Sequence, residues 1–137
     1  MEAFCLDLSP RVLLAEDDHE LRELLALVLE GAGYQVVQCD NGLQLLGHLE
    51  RTDDVAAVIS DLRMPGLGGL EVLARHRHRS RQCPFICMTA FGDELTHNRA
   101  RQLGAAEVIN KPFDLDEMIA LVERVCLRNQ ETSGVKQ

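Results

Sequence analysis

The stretch Arg11-Val12-Leu13-Leu14-Ala15-Glu16-Asp17-Asp18 opens on a short aliphatic run, passes through three acids and leads into a segment of different period. Val12–Ala15 has the length and the aliphatic character of a strand. Beyond it Leu21, Leu24, Leu25, Val28 and Ala32 recur at helical steps and share one face. Asp18 stands where an N-cap acceptor belongs, and Gly33 where a helix stops. The same alternation continues along the chain. Tyr34–Gln38, Val55–Ile59, Phe85–Met88 and Glu107–Ile109 are short apolar runs that predict four more strands. The last helix puts Leu115, Met118, Ile119, Val122 and Val125 on one face, with Asp114 as its cap and Glu117 as the reciprocal partner. A helix from about Asp93 to Leu103 has only a thin apolar stripe of Leu95, Ala100 and Leu103.

Strands that are apolar on both faces and alternate with helices predict an α/β fold, a (βα)5 parallel sheet with helices on both sides. At 137 residues, 46% hydrophobic and 26% charged, the chain has the size and composition of one globular domain. Residues 1–10 read as an N-terminal extension, 11–128 as the domain, and 129–137 as a polar tail or the start of a linker. Spanning a bilayer takes roughly 20 apolar residues, and the longest run here is Leu24–Leu29. No membrane span is therefore expected. Ahead of Arg11 there is neither a basic start nor a sustained apolar stretch, so a secretory signal is not expected and a cytoplasmic location is. With 14 basic against 22 acidic residues the formal charge is −8, which disfavours direct contact with nucleic acid. Cys5, Cys39, Cys83, Cys87 and Cys126 form no CxxC pair and read as reduced, mostly buried small hydrophobes.

In an open α/β sheet, ligands bind beyond the carboxyl ends of the strands. Glu16, Asp17 and Asp18 follow strand one, Asp61 follows strand three, Thr89 strand four, and Lys111-Pro112 strand five. Carboxylates brought together there need a counter-charge, and a hard divalent cation supplies one. Magnesium fits a site of few carboxylates that is completed by water and a phosphate oxygen. A lysine and a threonine hydroxyl add what phosphoryl transfer needs, and Asp61 is the natural nucleophile, able to form an acyl phosphate.

Glu16-Asp17, Asp61-Leu62-Arg63-Met64-Pro65-Gly66, Met88-Thr89-Ala90 and Lys111-Pro112-Phe113 together resemble the receiver domain of two-component response regulators, from about Arg11 to Arg128. The resemblance implies a flavodoxin-like, doubly wound sheet of order 2-1-3-4-5, an order for which a chemotaxis receiver is a standard example. It implies that Asp61 is phosphorylated by a sensor histidine kinase or a phosphotransfer protein. Asp17 would be a direct magnesium ligand, Glu16 a ligand mostly through water, and Asp61 and the carbonyl of Arg63 further ligands. Lys111 would pair with a phosphoryl oxygen, Thr89 would move toward it, and the Lys111–Pro112 bond would be cis. Two features depart from the family pattern. Val108 stands where an aromatic switch residue is common. His97, Ala106 and Leu121 stand where one DNA-binding subfamily has charges at its dimer face, so that dimer is not expected, while a different weak homodimer is left open.

Each feature also has a plainer reading. Acids 16–18 suit any helix N-terminus, Thr89 any strand end, and Lys111 any loop. Arg75–Arg81 is a basic run with no aromatic residues for base stacking, and His76 and His78 lack the companions of a metal site. Gly31–Gly33 and Gly66–Gly69 do not complete a dinucleotide-binding fingerprint. The leading functional expectation is a non-enzymatic phosphoacceptor switch, whose output lies in a partner protein or in a domain outside this sequence. The alternatives are a magnesium-dependent phosphohydrolase with an aspartyl nucleophile, disfavoured by Arg63 where such enzymes place a second acid, and a degenerate receiver that acts by partner binding alone.

Overall fold

A computed structural model describes residues 9–79, 83–90 and 93–135, with side chains as far as Arg128. Five strands and five helices alternate: β1 (Arg11–Ala15), α1 (His19–Gly31), β2 (Gln35–Cys39), α2 (Gly42–Arg51), β3 (Ala57–Asp61), α3 (Gly69–His76), β4 (Phe85–Ala90), α4 (Glu94–Gln102), β5 (Glu107–Lys111) and α5 (Leu115–Val135). All strand pairs are parallel, in the order β2-β1-β3-β4-β5. This is the doubly wound, flavodoxin-like sheet.

Alternation along β1 divides the core in two. Val12 and Leu14 join Ile59, Ile86 and Met88 beneath α1 and α5, where Leu25, Leu29, Met118 and Val122 are buried. Leu13 and Ala15 join Val58, Phe85 and Cys87 on the other face, against Leu45 and Leu49 of α2, Val72 and Leu73 of α3, and Ala100 of α4. With both faces of the sheet covered, the inner strands β1, β3 and β4 carry apolar residues on both faces.

Asp18 caps α1 as expected, its carboxylate accepting from the amides of Glu20 and Leu21, and Gly33 takes a positive φ of 104° just beyond the helix. The buried face of α1 is rotated from the expected one. Leu25, Ala26 and Leu29 are buried, whereas Leu24 and Ala32 are exposed. Because 24–29 is apolar all round, its spacing fits more than one stripe, and packing on the sheet decides between them. The last helix keeps its expected face, with Met118, Val122 and Val125 buried and Leu115 and Ile119 partly so. Its backbone continues to Val135, into the stretch predicted as a polar tail; Gln130 and Glu131 are good helix formers and no proline intervenes.

Several strand ends also differ from expectation. β3 runs Ala57–Asp61, β4 reaches Ala90 and β5 extends to Lys111. Asp61 pairs with Met88, Thr89 with Asn110 and Ala90 with Lys111, so Asp61, Thr89 and Lys111, predicted to follow their strands, lie within them, whereas Glu16, Asp17 and Asp18 follow β1 as expected. Backbone ladders continue wherever a neighbour offers partners, whatever the polarity of the side chains. The consequence for the site is rigidity, since its side chains stand on the sheet itself.

Candidate functional site

β1 and β3 are neighbours, and the helices that follow them lie on opposite faces of the sheet, which opens a crevice at their carboxyl ends. Glu16 leaves β1 still attached to the sheet, its amide donating to the carbonyl of Cys39 at 3.1 Å. Its carboxylate turns inward and is 1% exposed. Oε2 accepts from the amide of Asp18 at 3.0 Å, and Oε1 accepts from Lys111 Nζ at 2.7 Å. The same Nζ donates to Asp61 Oδ2 at 2.9 Å, while Asp61 Oδ1 accepts from the amide of Arg63 at 3.2 Å. One ammonium thus joins two carboxylates from separate strands.

Asp17 is exposed at the mouth of this arrangement. One carboxylate oxygen from each of Glu16, Asp17 and Asp61 lies within 4.8 Å of the other two. Burial raises the Glu16 carboxyl above its ordinary value, and the Lys111 hydrogen bond offsets only part of that. For Lys111 burial acts in the lowering direction, and the two carboxylates overcome it, leaving the ammonium above the usual lysine value.

Thr89 lies on β4 and is 1% exposed, and its Oγ1 has no hydrogen-bond partner among the described residues. A buried polar group without a partner is uncommon. The Lys111–Pro112 bond is cis. Asp18 serves as the α1 cap and is not part of the carboxylate group.

Three features here carry no signal in the sequence. Gly69 starts α3 so close to β3 that a Cβ would lie 2.4 Å from the Asp61 carbonyl and 2.9 Å from Ser60 Oγ. Ser60 Oγ in turn donates to the Asp61 carbonyl at 2.9 Å. The third is an ion pair between Arg63 and Asp93, which caps α4. The first and third depend on how separate segments meet, and the second on the local orientation of a side chain, neither of which spacing encodes.

His76 and His78 separate, as a poor metal pair would. His76 is buried against Phe85, whereas His78 is exposed. Of the basic run, Arg75 and Arg77 are exposed and residues 80–82 lie outside the described residues. Cys39, Cys83, Cys87 and Cys126 are free thiols; burial pushes the first three up to about 12, too high for reactivity at neutral pH. Cys5 lies outside the described residues. Among the described residues no helix is long and apolar enough to cross a membrane.

Comparison with known proteins agrees with this geometry. The response regulator receiver domain family matches residues 12–123. The DNA-binding transcriptional regulator NtrC of Escherichia coli (strain K12) is 40% identical over 121 residues, covering 88% of this chain and 25% of that protein. The chain therefore spans about a quarter of the length of that relative. Sporulation initiation phosphotransferase F of Bacillus subtilis (strain 168) is 34% identical over 119 residues, 85% of this chain and 94% of that protein. A solved receiver domain of a sensor histidine kinase from Pseudomonas aeruginosa PAO1, described with a magnesium ion coordinated in its active-site cleft, superposes with a TM-score of 0.79. It is 25% identical and covers 86% of this chain and 98% of its own.

The chain belongs to the response regulator receiver domain family. It is the receiver domain of a two-component response regulator, and its acidic cluster is compatible with a phosphorylation site.

Proposed function

We propose that residues 11–128 form a phosphoacceptor switch that takes a phosphoryl group onto Asp61 in the cytoplasm. The donor is a sensor histidine kinase or a histidine phosphotransfer protein. The observation that carries this reading is the setting of Asp61, a carboxylate at the end of a central strand with Lys111 Nζ at 2.9 Å and the oxygens of Glu16 and Asp17 close by. In the transfer, an Asp61 oxygen attacks phosphorus and forms a P–O bond as the P–N bond to the donor histidine breaks. The bonding pair leaves with the imidazole nitrogen. Lys111, already held on Asp61, places a cation where negative charge collects on the phosphoryl oxygens.

The donor set suits magnesium, since carboxylate oxygens are hard ligands and the exposed Asp17 leaves room for water and a phosphoryl oxygen. Glu16, Asp17, Asp61 and the Arg63 carbonyl would hold the ion. When bound it would neutralise phosphoryl oxygens.

Thr89 supplies the differential contact that any switch requires. Its buried hydroxyl lacks a partner, and a phosphoryl oxygen on Asp61 gives it one. Val108, which packs with the core on the α2–α4 face of the sheet, stands in for the aromatic that is common there, so Thr89 and Lys111 carry the switch without a ring. The output is a change in affinity for a protein partner or for an output domain, not turnover of a substrate. Arg63, two residues beyond the acceptor, provides no acid or base for hydrolysing a series of phosphomonoesters.

The test is chemical location of the adduct. Borohydride reduces an aspartyl phosphate to homoserine and leaves phosphoserine and phosphohistidine unchanged. After incubation with magnesium and acetyl phosphate, reduction and peptide mass analysis place homoserine at position 61. Homoserine at another position, or none from a chain that carries a phosphoryl group, contradicts the assignment.

A further inference from the structure

The Arg63–Asp93 pair joins residues thirty positions apart and ties the loop after β3 to the start of α4. Both ends are tightly placed. The Arg63 amide donates to Asp61 Oδ1 at 3.2 Å, so this residue is anchored on the acceptor carboxylate. Asp93 divides its carboxylate between two tasks: Oδ1 accepts from the amide of Thr96 at 3.3 Å and caps α4, while Oδ2 takes the guanidinium of Arg63. The guanidinium also reaches Thr96 Oγ1 at 3.5 Å. The hydrogen bonds from Thr96 and the Arg63 cation hold the Asp93 carboxyl below its ordinary value. Among the described residues, this end of α4 is otherwise held by the Asp93 amide, which donates to the Ala90 carbonyl at 3.2 Å. Ala100 is the only buried residue within the helix, and Leu95 in its first turn is 85% exposed.

Resting on the reading of Asp61 as acceptor, we infer that Arg63 is a positioning residue with two alternative partners, Asp93 in the unmodified chain and the phosphoryl group once Asp61 carries one. Phosphorylation replaces the single carboxylate charge of Asp61 with a phosphoryl group of close to two negative charges and three acceptor oxygens, beside the backbone from which Arg63 projects. Guanidinium pairs with such oxygens in bidentate fashion, more strongly than with one oxygen of a solvated carboxylate. Arg63 therefore leaves Asp93, and the first turn of α4 loses its side-chain tie to the loop after β3 while keeping the backbone bond from Asp93 to Ala90. The charge state of position 61 reaches α4 by this route in addition to the Thr89 hydroxyl.

The test is hydrogen exchange over residues 93–102 in the native chain and in Asp93→Asn, each unmodified and after treatment with magnesium and acetyl phosphate, with intact mass confirming the adduct. Asparagine caps a helix as well as aspartate does, so the substitution removes the pair and keeps the cap. In the native chain phosphorylation speeds exchange several-fold. Unmodified Asp93→Asn already exchanges at the faster rate, and phosphorylation then adds less than about twofold, the non-additivity of two changes acting on one link. Arg63→Gln accelerates the same amides in the unmodified chain. Equal acceleration by phosphorylation in native and Asp93→Asn chains, or native-like exchange in unmodified Asp93→Asn, overturns the inference and leaves Asp61 as the acceptor. Folded protein that gains no adduct and also fails to bind beryllofluoride overturns both.

Discussion

Three carboxylates meet at the mouth of the crevice, and Lys111 pairs with two of them, Glu16 and Asp61. Asp17 adds negative charge there without a bond to that ammonium, an arrangement that costs some stability. Asp17→Asn is expected to raise Tm in buffer containing EDTA and to weaken magnesium binding by at least about tenfold; paired thermal melts and a magnesium titration check both. An unchanged Tm together with unchanged affinity contradicts the role given to Asp17. The acids, Thr89 and Lys111 are legible in the sequence because each closes a short apolar run. His76 is not. It reads as one of several basic residues in a solvated run, yet it is buried, its Nε2 accepting from the Cys83 amide at 2.9 Å. Burial, followed by the charge of Arg79, lowers its affinity for a proton. Below the ordinary histidine value of about 6.5 the unfolded chain thus binds more protons than the folded one. Stability from this group is complete above that pH and is lost as pH falls through it, by at most about 1.4 kcal/mol per pH unit. Urea unfolding at pH 7.5 and 5.5 should show a smaller loss in His76→Leu than in the native chain.

Elements were legible where a pattern admits one solution. The single apolar face of α5 predicts its packing, and Asp18 and Gly33 mark the limits of α1. The buried face of α1 was not legible, because Leu24–Leu29 offers several stripes and only the sheet selects Leu25 and Leu29. Strand ends were misplaced for a related reason: Asp61 and Lys111 are polar, and the ladder includes them through backbone bonds that have no side-chain signature. The close seat of α3 on β3 is a third case. With the Asp61 carbonyl 2.4 Å from a would-be Cβ, Gly69→Ala must displace the start of α3. It should cost about 1–3 kcal/mol in urea unfolding, the range for overpacking a rigid contact. A loss well below that, with phosphorylation intact, contradicts a fixed approach of α3 to the acceptor strand.

At the scale of the whole molecule, alternation of strand and helix predicts the parallel α/β class, whereas the order of the strands came from the likeness to receivers. Periodicity says what each segment is and not which neighbour it pairs with. The five-stranded order places β1 and β3 side by side with β5 at the edge, and from that edge Lys111 reaches back to both Glu16 and Asp61. Glu16 and Lys111 lie 95 positions apart in the chain, so their pairing exists only in the fold. A site assembled from separate strands is expected to respond as a unit, with charge added at Asp61 altering the balance of Lys111, Thr89 and Arg63 together. The central claim is that Asp61 accepts one phosphoryl group with the help of the surrounding acids. The most direct measurement is intact mass after incubation with acetyl phosphate, for the native chain with magnesium, the native chain with EDTA, and Asp61→Asn with magnesium. A single phosphoryl adduct is expected in the first sample and none in the other two. An adduct of equal yield in Asp61→Asn, or no adduct from folded native protein that also fails to bind beryllofluoride, contradicts the claim.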